Sequence, residues 1–265
     1  MYSMNSTKRY GIIIGSALSC LALAGICTLG LWVLNKAHNK LTAVNQKLDV
    51  VIANTVYEND HRYVRMFVMR SQLAEIDPDY VAIVGDSITE ANSRRSACNR
   101  PLFNAGVSGT TVSGVNRDTL PLLREHPPRA MLLAIGVNDA RRVSSKTSPE
   151  RVIEFEREYR AMLSTAKTIT AHVGVATIAP VERGKVLGDT HYDIGLIRQF
   201  NDIIRRVAQD MQIAVTELAG LADEQGFARE GATLDGVHLS PMAYRQWWSA
   251  IDRGWSAIIK DCRAS

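Results

Sequence analysis

The chain has 265 residues, 46% of them hydrophobic and 22% charged, with a formal net charge of +4. That balance is ordinary for a globular protein, and the length suffices for a full core in one or two domains. Its basic residues are spread out, with only the doublets Arg94-Arg95, Arg141-Arg142 and Arg205-Arg206. The dense basic stripe of a nucleic-acid binder is missing, so nucleic acid is excluded as a partner.

A short tail, residues 1–10, precedes an uncharged run over residues 11–34, GIIIGSALSCLALAGICTLGLWVL. About 20 apolar residues cross a bilayer as a helix. Tyr10 and Trp32 lie near the ends of the run, where amphipathic aromatics favour the headgroup layer. The competing reading is a cleaved signal peptide. Against it, the run exceeds the usual hydrophobic region of roughly 7–15 residues, and no A-x-A site follows. The segment is therefore expected to be an uncleaved transmembrane anchor. Lys8 and Arg9 before it favour a cytoplasmic N-terminus, while Lys36, Lys40 and Lys47 after it soften that bias. With so short a tail, a single-pass protein with an exported, periplasmic or extracytoplasmic body is the simpler topology. Cys20 and Cys27 in the span count as small apolar residues.

Residues 35–77 form the expected stalk or linker. Leu41, Val44, Leu48, Val51 and Thr55 recur at alternating spacings of three and four, a helical stripe with a heptad-like seam. One amphipathic helix packed on the body satisfies that pattern, and so does a stalk that pairs into a homodimer. Asp77-Pro78 breaks the helix, because proline drives its predecessor out of the α region. The body is expected over residues 78–262.

Within it, short apolar runs at 80–84, 102–105, 130–135, 172–178 and 213–217 read as strands. Helical patterns fall between them, from the first strand to about residue 97 and over 115–124, 149–170 and 194–211. A last helix spans 241–259, with Ser240 as N-cap and Pro241 at its first position. Strict alternation implies an α/β fold, a five-stranded parallel sheet with helices on both faces. Ligands of such sheets bind beyond the carboxyl ends of the strands.

Four loops at that edge carry suggestive residues: Gly85-Asp86-Ser87, Asn104-Ala105-Gly106 with Val107-Ser108-Gly109, Gly136-Val137-Asn138-Asp139, and Asp235-Gly236-Val237-His238. A serine hydroxyl needs a base, and His238 has a suitable ordinary pKa near 6.5. Asp235, three residues earlier, is placed to fix the imidazole tautomer. Ser87 at a strand-to-helix turn would present helix N-terminal N–H groups to an oxyanion, joined by the Gly106 N–H and the Asn138 side chain. A glycine at 106 would admit the substrate oxygen close to the backbone. Any one loop alone is ordinary turn chemistry; their conjunction on one edge carries the reading.

The blocks VAIVGDSITE, FNAGVSGTT, LLAIGVNDA and DGVHLSPMAY resemble the four signature blocks of the GDSL, or SGNH, hydrolase family, over about residues 78–260. The resemblance implies a flavodoxin-like three-layer α/β/α fold and no cofactor. It makes Ser87 the nucleophile, Gly106 and Asn138 the oxyanion donors, and His238 the base with Asp235 as its partner. Asp86 and Asp139 are expected to tie loops together. No G-x-S-x-G elbow, dinucleotide glycine motif or Walker A sequence is present, and His126, His172 and His191 have no metal-ligand spacing.

The expected activity is acyl or acetyl ester hydrolysis on a small ester, or on an acylated envelope glycan or lipid. An O-acyltransferase would use the same triad, and a non-enzymatic envelope assembly protein is the remaining rival. Arg141 and Arg142 would suit an anionic substrate, or simply a solvated loop. Cys98 and Cys262 are both expected near the bottom of the sheet, as a disulfide in an oxidising compartment or as two unrelated thiols.

Overall fold

A computed structural model describes residues 28–42, 44, 60–142 and 146–262, which fall in two compact units, Met1–Tyr57 and Glu58–Ser265. In the first unit, residues 28–42 are helical and Leu29, Leu31, Trp32 and Leu34 are exposed. Most of the predicted span, and most of the predicted seam beyond Val44, lies outside the described residues. Among the described residues no helix is long and apolar enough to cross a membrane.

The second unit opens with a helix, α1, over residues 60–75. Its inner face carries Met66, Met69 and Leu73, with Ile76 just past its end continuing the spacing of three and four, and Met69 and Leu73 are buried in the core. This compact unit thus begins upstream of the boundary expected at residue 78, because those side chains have no other way to leave water.

Six strands follow: β1 (Val81–Gly85), β2 (Ser96–Ala97), β3 (Arg100–Gly106), β4 (Ala130–Ala134), β5 (Val173–Ala176) and β6 (Ala214–Thr216). The sheet order is β2-β3-β1-β4-β5-β6. All pairings are parallel except β2 with β3. Without its edge strand β2, this is the flavodoxin-like doubly wound order, which reverses direction beside β1. Val81 pairs with Leu102 and with Ala130, and Gly85 with Gly106 and with Ala134, so the loops after β1, β3 and β4 leave the sheet at one level. Every residue of β1 and β5 is buried, as strands covered on both faces must be.

The helices are α2 (Ser87–Glu90), α3 (Val112–Gly114), α4 (Leu120–Glu125), α5 (Ser148–Ile169), α6 (Ile194–Asp210) and α7 (Pro241–Ile258). A π-helical turn, Val115–Thr119, joins α3 to α4. Their starts follow from capping chemistry. Glu150 accepts the Thr147 N–H at 2.7 Å ahead of α5, Asp193 accepts from Gly195 and Leu196 at α6, and the Ser240 hydroxyl accepts from Ala243 at α7. α5 and α6 pack on each other, and α7 packs on β5 and β6 through buried Trp247, Ile251 and Trp255.

Two expectations are corrected. The helix after the first strand does not run to residue 97; α2 is a single turn. The Asn104 side-chain amide donates to the carbonyls of Thr89 and Glu90 at 2.9 and 3.2 Å, and Asn92 donates to Thr89 at 2.6 Å. These amides satisfy the carbonyls that a second turn would have used. The sheet also has six strands rather than five. The extra one, β2, forms a hairpin with β3 through Cys98 and Asn99, whose φ angles are 53° and 57°. Two consecutive positive φ values match the right-handed twist of a hairpin.

Cys98 and Cys262 form a disulfide that joins this turn to the end of the chain across 164 residues. Closing so long a loop is worth about 5 kcal/mol in the chain-entropy treatment. The bond lies at the start of β3, on the opposite edge of the sheet from the four loops.

Candidate active site

Asp86 ends the turn after β1 and accepts the Ile88 N–H at 3.0 Å, which caps α2 and places Ser87 at its first position. The Ser87 Oγ lies 2.9 Å from His238 Nε2, and His238 Nδ1 lies 2.6 Å from Asp235 Oδ2. The other Asp235 oxygen accepts the N–H groups of Val237 and His238 at 3.1 and 2.9 Å, so the tight turn that carries both residues is closed by the carboxylate itself. Burial pushes the Asp235 carboxyl up, but hydrogen bonds from the His238 ring and those two amides more than reverse this and hold it below the ordinary range. With Asp235 ionised, Nδ1 carries the imidazole proton and Nε2 is left to accept from the Ser87 hydroxyl.

The turn is held from behind by a residue that sequence reasoning missed. Glu182 is buried and accepts from the Gly231 N–H at 2.9 Å, the Thr233 N–H at 2.8 Å and the Thr233 hydroxyl at 2.6 Å. Lys185 lies 3.2 Å from the same carboxylate and also donates to the Thr233 carbonyl. Thr233 in turn accepts the Gly236 N–H at 3.0 Å.

Asn138 is buried at the loop after β4. Its Nδ2 donates to Thr110 O at 2.9 Å, and its Oδ1 faces the Tyr192 hydroxyl at 3.4 Å. The first contact fixes which end of the amide carries the N–H groups and leaves the second of them unused. Beside Asn138 opens a cleft of about 830 Å³ lined by Gly109, Thr111, Arg141, Arg142 and Phe155, among others. Arg142 donates to Asp189 O at 3.0 Å.

Gly106 differs from expectation. Its N–H donates to Asn104 Oδ1 at 2.9 Å, and its carbonyl accepts from Arg65 at 2.8 Å. A Cβ at this position would lie 2.3 Å from the Glu90 nitrogen. The glycine therefore admits α2, not a substrate oxygen, and its amide is already consumed. Gly109, three residues on, lines the cleft with Asn138 and has φ +75°, a conformation that favours glycine. Its N–H and that of Ser87 donate to no described group.

Asp139 ties two loops together, whereas Asp86 closes its own turn through the Ile88 N–H. Asp139 accepts the Val112 N–H at 3.2 Å, and Arg151 braces the Asp139 and Arg141 carbonyls. Burial pushes Asp86 up to about 6, partly offset by the Ile88 N–H, His238 and Arg141. Burial likewise pushes Asp139 up to about 7, against the Val112 N–H and with a further push from the Asp86 charge. Among the described residues no group of three His, Cys, Asp or Glu side chains is arranged to hold a metal ion.

Solved structures share the fold. An acetyl xylan esterase, AlAXEase, matches with a TM-score of 0.53 at 24% identity, covering 68% of this chain and 100% of that one. A GDSL-like lipase from Bacteroides thetaiotaomicron matches with a TM-score of 0.57 at 17% identity, covering 73% and 98%. A lipase/acylhydrolase from Enterococcus faecalis matches with a TM-score of 0.52 at 17% identity, covering 71% and 98%. No curated protein matches the chain. Residues 83–246, more than half of the chain, match the GDSL-like Lipase/Acylhydrolase family, and the chain belongs to that family.

Proposed function

We propose that this protein is a membrane-anchored serine ester hydrolase that acts through an acyl-enzyme on an acylated glycan or lipid of the cell envelope. The observation that carries the proposal is the chain of contacts Ser87 Oγ–His238 Nε2 at 2.9 Å and His238 Nδ1–Asp235 Oδ2 at 2.6 Å. Ser87 attacks the ester carbonyl and its proton passes to His238 Nε2. The oxyanion is met by the N–H groups of Ser87 and Gly109 and by Asn138 Nδ2. His238 then returns the proton to the departing alcohol, and water, deprotonated by the same nitrogen, hydrolyses the acyl-enzyme. Asp235 holds the imidazole and stabilises its charged form.

The uncharged run at residues 11–34 supports the anchor, and the Cys98–Cys262 disulfide supports an oxidising compartment for the body. Alkaline extraction of membranes should leave the full chain in the pellet; its release would remove the anchor from the reading. Turnover of p-nitrophenyl acetate and of longer esters should fall by about 10³-fold or more in Ser87→Ala and in His238→Ala. Hydrolysis that survives both substitutions would overturn the triad, and the chain-length profile separates a deacetylase from a lipid esterase.

A further inference from the structure

One set of half-buried charges, His61, Arg65 and Glu90, lies outside the proposed chemistry. Arg65 projects from α1, outside the region that matches the family, and reaches the end of β3. Its Nε donates to Gly106 O at 2.8 Å and its Nη2 to Asn104 O at 2.6 Å. A guanidinium fork thus bridges two carbonyls of one strand end, a geometry that lysine cannot copy. Its side chain is only 14% exposed, and Glu90 Oε1 lies 3.7 Å from Nε. Glu90 in turn accepts the Ser108 N–H at 2.6 Å, the Ser108 hydroxyl at 2.7 Å and His61 Nε2, also from α1, at 2.9 Å.

These contacts grip residues 104, 106 and 108, immediately before Gly109, and they grip Glu90, the last residue of the single turn that begins with Ser87. The two backbone donors assigned to the oxyanion therefore sit on segments fastened to each other through Glu90 and to α1 through Arg65. The geometry points to Arg65 as a positioning residue for the oxyanion site: it sets the loop that carries Gly109 against the turn that carries Ser87. This rests on the ester-hydrolase reading and adds an element to its machinery, since α1 makes no contact with the reacting atoms.

A positioning role predicts a loss confined to the transition state, because the oxyanion forms only there. The test uses the full chain with Arg65→Met, which keeps length and apolar packing, and Arg65→Lys, which reaches one carbonyl at most. Ester kinetics are read beside the rate at which a fluorophosphonate labels Ser87, because the phosphonyl oxygen needs the same donors and no knowledge of the natural substrate. Expected is a fall of about 10- to 100-fold in kcat and in labelling rate for Arg65→Met, with KM changed less than about threefold and an intermediate value for Arg65→Lys. Combined with Asn138→Ala, the Arg65→Met loss should be less than multiplicative, since both act on one oxyanion. Wild-type labelling and turnover with an equally active Arg65→Met variant would overturn the positioning role alone, as would a lowered melting temperature with unchanged kcat. A wild-type protein whose Ser87 does not label would overturn the hydrolase reading and the inference with it.

Discussion

The two halves of the site are each built around one glutamate, and they differ in what those glutamates are fastened to. On the nucleophile side Glu90 takes both the N–H and the hydroxyl of Ser108. On the base side Glu182 takes both the N–H and the hydroxyl of Thr233. In each case burial pushes the carboxyl up and hydrogen bonds more than reverse it, from Ser108 and His61 to Glu90 and from Thr233, Gly231 and Lys185 to Glu182, so both are held below the ordinary range. The base side draws only on loops beyond the strand ends: Glu182 and Lys185 follow β5, and Thr233 and Asp235 follow β6. The nucleophile side does not; its remaining partners, His61 and Arg65, come from a helix that precedes the first strand. The base is aimed by neighbouring loops, whereas the two backbone oxyanion donors follow different strands and are spanned by a helix outside the sheet.

The sharpest way to break the comparison is Glu182→Ala. It strands the Gly231 and Thr233 donors in a buried site, so about 3 kcal/mol of stability should be lost on thermal unfolding. Turnover should drop by about 100-fold as the His238 turn loosens. A variant with native turnover would show that the turn is held by Asp235 alone. Next is Glu90→Ala, for which about a tenfold loss of kcat is expected, with Glu90→Gln recovering most of it because an amide oxygen still serves Ser108. Equal losses in both would instead assign the effect to charge. In both halves the stability contributed by the carboxylate is present above an ordinary pKa of about 4.3 and lost as pH falls through its lowered folded value.

The smallest effect on turnover is expected from Asp139→Asn. A carboxyl raised to about 7 in the folded protein contributes stability that is complete below its unfolded value and lost as pH rises through 7. Asparagine keeps an acceptor for the Val112 N–H and cannot ionise. The variant should therefore gain in melting temperature over the wild type between about pH 4 and pH 8, with kcat within about twofold. A difference that does not change with pH would mean that Asp139 titrates alike in the folded and unfolded chain and is not raised by burial.

How much of this was legible in the sequence depends on where each residue's partners lie. The five parallel strands and the long helices were readable because their apolar periods belong to their own segments. Ser87, Asp235 and His238 were readable because their chemistry is local to their loops and only their meeting is long-range. The short α2 was not, because residues after Ser87 carry a helical pattern that is cut off by Asn104 from a strand away. The assignment of the Gly106 amide to the oxyanion failed for the same reason: only the fold shows that Asn104 takes that amide. Arg65 and Glu182 sit in unremarkable sequence, and only their placement reveals what they hold.

The disulfide has a temporal meaning. His238 and Cys262 both follow β6, yet their partners, Ser87 and Cys98, belong to the first loops of the body. A growing chain therefore completes its site only when His238 is made, and its covalent closure only when Cys262 has followed. The two pairings, 151 and 164 residues apart, are non-local contacts of the kind that slow the search for the native state. The same bond that closes the bottom of the sheet acts as the last stitch, and it is set only after the active edge has every residue it needs.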